Sequence, residues 1–437
     1  MRRALTRLID WIASYLVAHP GATVPLARFF ANVLPIRKCD RERLLVLAER
    51  ISGRGKFFKM LERFVSLSPK TRRLIIKSFF VDSTFQKRKL SKACPIPPPR
   101  VLNVFVTRNC NLGCKYCFVR GTQREEMDAA VFEKLLKEID GFRPAFICIS
   151  GGEPLLRPGL LEDLGRHKDV LFLLFTNGLC FDETTCRTVA EKCNIMPIFS
   201  IEGSPETIAR NRNDKVWPTF ERASTRLREL NVPFGFSCHL EQDNYDEVVT
   251  PTFISRMVEH GCVTGWFSQH IPMCAADVTN AMLTPEQRID MMNRMESLRE
   301  FPIALIDSAA DSRYLGACAA GGAAMCHVEA NGDICPCQFM PFSVGNIRDM
   351  KVADAVATKF FAEVRSIGKV HSKKDYIAGC CALDKRQAIL GAVARNESAL
   401  TPHSREMAAL WRSFQDDVDV YDAAMQRKVD EDVSFRE

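Results

Sequence analysis

The sequence predicts an α/β fold, a parallel sheet covered by helices, and three observations carry that prediction. Six short apolar runs, at 101–106, 145–150, 170–175, 196–201, 234–240 and 262–268, have the length and composition of buried strands. Helical patterns lie between them, for example at 128–140, 182–193, 218–230 and 247–260, and a further one follows at 351–366. Strand–helix alternation of this kind builds a parallel sheet, because each crossover carries a helix back over the sheet face. The Pro-rich stretch Cys94-Pro95-Ile96-Pro97-Pro98-Pro99 cannot continue a helix and sets a boundary just before the first strand.

Residues 1–95 read as a separate basic helical domain, with segments at 3–18, 24–34, 40–51, 56–66 and 70–80. In the first of these Leu5, Leu8, Ile9, Ile12, Tyr15 and Leu16 recur at helical spacing. Asp10 interrupts the apolar stretch, which is too short to span a bilayer and has no clear cleavage site. The domain carries 21 Lys and Arg against 6 Asp and Glu, whereas the rest of the chain carries 39 against 47. Such asymmetry fits an anionic partner, here an anionic membrane surface, and equally an acidic protein or a solvated basic face. The placement expected is cytoplasmic, peripheral on the inner membrane face. A nucleic-acid role is not expected, since no aromatic-interleaved basic stripe or known module is visible. Eighteen cysteines without a secretory signal point to a reducing compartment rather than a disulfide scaffold. At 437 residues several domains are expected: the helical domain, an α/β unit at 96–310, a Cys-rich segment at 311–385 and helices at 386–437.

The chemistry starts where the first strand ends. Cys110, Cys114 and Cys117 follow it with C-x3-C-x2-C spacing, and Tyr116 stands just before the third cysteine. Three thiolates in one short loop can hold three irons of a cubane and leave the fourth without a protein ligand. A structural zinc site usually closes with a fourth Cys or His nearby, and none follows Cys117 within twenty residues. The second strand ends in Ser150-Gly151-Gly152-Glu153-Pro154, the third in Thr176-Asn177-Gly178 and the fourth in Ser200-Ile201-Glu202-Gly203, followed by Arg210 and Arg212. Paired glycines admit close backbone approach, and a carboxylate complements an ammonium group. Ser237 and His239, near the end of the fifth strand, are placed to face a cofactor, and His239 reads more simply as an interior histidine than a catalytic one.

These motifs resemble the radical SAM (S-adenosylmethionine) superfamily. The resemblance implies a partial, open (β/α)6 TIM-like barrel with its chemistry at the C-terminal strand ends. It implies a 4Fe-4S cluster on Cys110, Cys114 and Cys117, whose open iron chelates the amino and carboxylate groups of SAM. One electron then cleaves SAM to methionine and a 5′-deoxyadenosyl radical, which abstracts hydrogen from a substrate. By the same resemblance Tyr116, Gly151, Gly152, Glu153, Asn177, Ser200, Glu202 and Arg212 bind the cofactor. Gly151, Gly152 and Glu153 would cradle the amino group, Ser200 would meet the ribose, and Arg212 (or Arg210) the carboxylate. Glu202 stands where the family more often has Asp. A reductant protein such as flavodoxin or ferredoxin is the implied electron donor.

Further along, Cys318 precedes Gly332-x4-Cys337 by a gap, an Asn331-Gly332-Asp333 hairpin signal lies between, and Cys380 and Cys381 follow. This resembles the SPASM/twitch module and implies an auxiliary iron–sulfur cluster on Cys318, Cys337 and Cys380. Its fourth ligand is open among Cys335, Cys381, Cys326, a non-Cys ligand or a free iron. Buried structural thiols are the alternative reading of these residues. The function expected is thus a radical SAM enzyme acting on a lipid or lipid-linked substrate, with C–C coupling as one outcome. The alternatives are a peptide- or protein-modifying maturase and a non-catalytic metal-binding protein.

Overall fold

The computed structural model describes residues 99–431, apart from 118, 120–124, 143, 372–374 and 376, together with residues 7, 10–12, 14, 67 and 69–78. Of the N-terminal helices expected, the fifth lies largely within these residues, as Pro69–Ile76, and residues 7, 10–12 and 14 of the first are helical; the other three and the Pro-rich boundary up to residue 98 fall outside them. No helix among the described residues is long and apolar enough to cross a membrane.

The six apolar runs become β1 (Val101–Thr107), β2 (Phe146–Gly151), β3 (Phe172–Thr176), β4 (Ile195–Ser200), β5 (Gly235–Leu240) and β6 (Thr264–Gln269), paired in sequence order and all parallel. Two further strands extend this sheet. β7 (Ala304–Asp307) pairs parallel with β6, and β8 (Met325–Val328) pairs parallel with the free side of β1. The six-unit expectation missed β7 because its four residues, close behind Pro302, are too short to show a period. The hairpin signal at Asn331-Gly332-Asp333 is a real turn: β9 (Ile334–Cys335) pairs antiparallel with β8, and Gly332 sits at φ 93°, a conformation glycine adopts freely.

The covering helices include Ala129–Phe142, Glu183–Lys192 and Val216–Glu229. The pattern over 247–260 splits into Tyr245–Val248 and Pro251–His260. Pro251 cannot continue a helix but suits a first turn, and the Thr250 hydroxyl accepts from Phe253 N at 3.3 Å to cap it. Likewise the single helix expected at 351–366 is two, Val352–Val356 and Lys359–Ile367, restarted by Thr358. Three helices follow, Arg386–Arg395, Pro402–Arg412 and Gln415–Glu431.

One face of the sheet is sealed by those helices: Leu102, Val104 and Val106 of β1 and Ile147 and Ile149 of β2 share a core with Phe132, Leu135, Leu136 and Ile139. The opposite face carries Cys148, Leu173, Met196 and Ile198, and Leu74 from Pro69–Ile76 packs there. The N-terminal helix therefore covers apolar surface that an open sheet would leave wet. What the two covers leave accessible is the row of C-terminal strand ends.

Candidate active site

β1 delivers the cysteine loop against the end of β2. The first glycine of the Gly151-Gly152 pair pairs with Thr107 in the sheet register. Gly152 N donates to Thr107 O at 2.8 Å, and Glu153 N donates to Asn109 O at 2.8 Å. A Cβ on Gly151, at φ 125°, would sit 2.2 Å from Thr107 O, and one on Gly152 would sit 2.1 Å from Asn109 O. Neither separation is sterically allowed. The glycines are therefore required first by the backbone of the cysteine loop, rather than by a ligand as the motif alone implied. A second tie holds the other side of that loop. Arg108 Nη2 donates to Glu329 Oε2 at 2.8 Å, and Cys117 packs on Phe105, Val119 and Ala330, so the β8–β9 hairpin buttresses it.

The loop and the strand ends enclose a cavity of about 180 Å³. Cys110, Cys114 and Cys117 line it, with Tyr116 beside them, Gly151 and Gly152 from β2, Asn177 after β3, Ser200 and Glu202 around the end of β4, and Arg212. Most of the residues singled out in the sequence thus converge. Glu153 does not line the cavity. It is fully buried, and its carboxylate accepts from Thr176 Oγ1 at 2.9 Å, Asn177 N at 2.8 Å and Leu155 N at 3.2 Å. Burial pushes its pKa up while these donors hold it down. Its visible work is to fasten the end of β3 to the end of β2, a different use from the ammonium partner the motif implied.

Glu202 and Arg212 form a two-pronged pair, Nε to Oε2 at 2.8 Å and Nη2 to Oε1. The remaining Nη1 reaches Cys114 Sγ at 3.6 Å. Burial alone would lower the Arg212 pKa; the Glu202 carboxylate outweighs it and the net shift is upward. Arg210 is exposed, so Arg212 is the arginine of the cavity.

The three thiols fit an iron–sulfur cluster with one open iron. Burial raises the Cys110 and Cys114 thiols, and the Arg212 guanidinium opposes it at both, favouring the thiolate a metal needs. No three His, Cys, Asp or Glu side chains among the described residues converge on one ion's position. A cubane spreads its ligands over separate irons and needs no such convergence.

Two residues were not foreseen, Asn111 beside the cavity and Glu241 in its lining. Asn111 accepts from Asn177 Nδ2 at 2.8 Å and reaches Cys180 at 3.7 Å, fixing the loop against β3. His239 lines the cavity, and its Nε2 lies 2.9 Å from His270 Nδ1. Burial, then His270 and Arg212, push His239 down to about 3, so it is neutral at ordinary pH. Glu241, one residue past β5, is 5% exposed and leaves Oε2 without a hydrogen-bond partner, and burial pushes it up to about 8. Its place at a strand end was the available signal.

At the second cysteine group the Cys381 thiol is hydrogen-bonded to Cys318, which holds Cys318 below an ordinary thiol, and burial with the neighbouring Cys318 charge raises Cys380. Cys337 has Cys318 as a neighbour as well. The structure therefore brings Cys318, Cys337 and Cys380 together, as the resemblance implied.

Two outcomes follow. Gly152→Ala should displace the cysteine loop and cut iron in anaerobically purified protein from about eight to about four per chain; unchanged iron would contradict the packing argument. Glu241 has its pKa raised on folding, so it opposes folding increasingly as pH climbs from the usual carboxylate range towards 8. Glu241→Gln should therefore melt higher than the parent at pH 8 and differ little at pH 4.5, read by thermal denaturation at both.

Known proteins resemble this chain over the segments that carry both cysteine groups. Residues 104–250 match the radical SAM superfamily, and residues 318–397 match the SPASM iron–sulfur cluster-binding domain. A cysteine-type anaerobic sulfatase-maturating enzyme of Clostridium perfringens is 23% identical, over 64% of this chain and 85% of the relative. A PqqA peptide cyclase of Methylorubrum populi is 26% identical over 56% and 68%. An AdoMet-dependent heme synthase of Methanosarcina barkeri is 24% identical over 57% and 80%. Among solved structures, Streptococcus suis SuiB bound to S-adenosylmethionine superposes with TM-score 0.55 at 15% identity, covering 80% of each chain. Native anSMEcpe with bound AdoMet and Cp18Cys peptide gives TM-score 0.54 at 20% identity, covering 75% of this chain and all of that one. The chain carries a radical SAM domain and a C-terminal SPASM domain and is a radical SAM enzyme, its cofactors 4Fe-4S clusters and S-adenosylmethionine.

Proposed function

We propose that this enzyme abstracts hydrogen from a peptide or protein substrate. The observation that carries this reading is the shared pairing of barrel and SPASM domain with relatives named for peptide or protein maturation, the sulfatase-maturating enzyme and the PqqA peptide cyclase. The peptide bound in the anSMEcpe structure supports it too. The lipid substrate preferred on sequence rested on the basic residues 1–95, most of which lie outside the described residues, and the relatives give it no support. The heme synthase marks the competing case of a small-molecule substrate.

Cys110, Cys114 and Cys117 hold the cluster, which when bound supplies the electron that cleaves SAM. The chain's own residues bind and orient. The Gly151-Gly152 backbone lies where it can meet the amino group, Arg212 stands ready for the carboxylate while Glu202 holds its fork in place, and Ser200 faces the cavity for the ribose. Tyr116 packs edge-on to His270, just past β6, and lines the cavity on that side. Electron delivery by a small reductant protein is part of the proposal.

Cys114→Ala with an intact fold should abolish 5′-deoxyadenosine formation under dithionite; retained formation would remove the radical chemistry. Peptides, lipids and metabolites compared between cells with and without the gene should differ in the mass of a peptide. A change confined to lipids or to a small metabolite would overturn the peptide reading.

A further inference from the structure

The second cysteine group has a feature that its match to a cluster-binding domain does not assign: which thiols close it, and what holds them. We infer that Cys318, Cys337, Cys380 and Cys381 form one closed four-thiolate iron–sulfur site, positioned from the barrel by Arg288 through Asp384.

Three segments bring the thiols together. Cys318 N donates to Gly368 O at 2.8 Å. A Cβ on Gly368 would lie 3.0 Å from Cys318 Cβ and 3.1 Å from Cys381 Sγ, so these two cysteines flank the same residue. The Cys318 loop is tied to the run Cys335-Pro336-Cys337 by Gly321 N donating to Pro336 O at 3.0 Å. Cys337 and Cys380 each have Cys318 as an electrostatic neighbour, and Cys380 has Cys337 as well. The other candidates stand elsewhere. Cys335 pairs with His327 in the hairpin, among Glu329, Asp333, Arg108 and Cys326, and Cys326 has Glu138 for its neighbouring charge. The fourth thiol is therefore Cys381, directly after the third.

Adjacent cysteines can serve one cluster only if the turn that carries them is fixed. Asp384 does this from both ends: its N donates to Cys380 O at 2.7 Å, and its Oδ2 accepts from Cys380 N at 3.0 Å. Its Oδ1 is paired with Arg288 Nη1 at 2.7 Å, with the two side chains 1% and 3% exposed. Arg288 Nη2 also donates to Ile377 O at 2.6 Å, at the other end of the turn. Arg288 belongs to helix Pro285–Leu298, which lies between β6 and β7. A buried guanidinium from the barrel, ion-paired with Asp384 and donating to Ile377, thus fixes the loop of the second site, and removing one partner of such a pair leaves the other charged and unpaired. With four thiolates no iron of this cluster is vacant, which assigns it electron transfer and leaves substrate binding to the first site.

The test uses the full chain, purified anaerobically, with Cys110, Cys114 and Cys117 replaced by Ala so that only the second cluster reports. This background should hold about four irons per chain. Adding Cys381→Ala should change the four-iron Mössbauer and EPR signature, by loss of the cluster or by opening one iron, whereas adding Cys335→Ala or Cys326→Ala should leave it. An unaltered signature in Cys381→Ala, or its loss in Cys335→Ala, overturns the ligand set. In the chain with its first cysteines intact, Arg288→Met should lose about half of the eight irons. Full iron with an unshifted second signal overturns the positioning role. If Arg288→Met loses all iron, the shape-preserving Asp384→Asn decides in the same way: a shifted second-cluster signal upholds the role and an unshifted one overturns it.

Discussion

The structure depends on a backbone contact. The chain leaving β1 must lie flat against the chain leaving β2, close enough for two hydrogen bonds at 2.8 Å, and only two residues without side chains permit that approach. The position of Cys110, and through it of Cys114 and Cys117, follows from this contact. A site built on adjacent ends of parallel strands inherits the rigidity of the sheet, and three metal-binding thiols on a single loop require it. Arg108 and Glu329 repeat the logic on the other side, where β8 continues the sheet past β1 and lets the SPASM hairpin brace the loop.

Three carboxylates just past the ends of β2, β4 and β5 then take three different states. Glu153 is buried and spent on backbone and hydroxyl donors. Glu202 is buried and paired with a guanidinium that also reaches a cluster thiol. Glu241 is buried and keeps an oxygen without a partner. Each unmade hydrogen bond of a buried polar group costs about 1–3 kcal/mol, so the first two states hold the strand ends together and the third is retained at a cost. The charge distribution of the cavity is set by which carboxylates are satisfied from within.

Much of this was legible in the sequence. The six central strands, the cysteine spacing and the strand-end motifs all belong to runs with a strong period or a fixed spacing, and they fell where expected. What was not legible depends on contacts between distant segments. No local signal says that Glu153 turns inward to Thr176, that Asn111 bridges to Asn177, or that Arg288 reaches Asp384 across the molecule. β7 was missed because four residues cannot show a period, and two helices were read too long because Pro251 and Thr358 restart them within apolar stretches. Substrate preference lay furthest from the sequence, since charge on residues 1–95 was its only local clue.

The account rests on an iron that the three thiols leave free for the methionyl end of SAM. Electron–nuclear double resonance on the reduced full-length protein, with SAM labelled by ¹⁵N at the amino group and ¹³C at the carboxylate, measures this directly. Hyperfine coupling to both labels, lost when Cys114 is replaced by Ala, is the result predicted. A reduced cluster that shows no coupling to either label with SAM present in excess would contradict it.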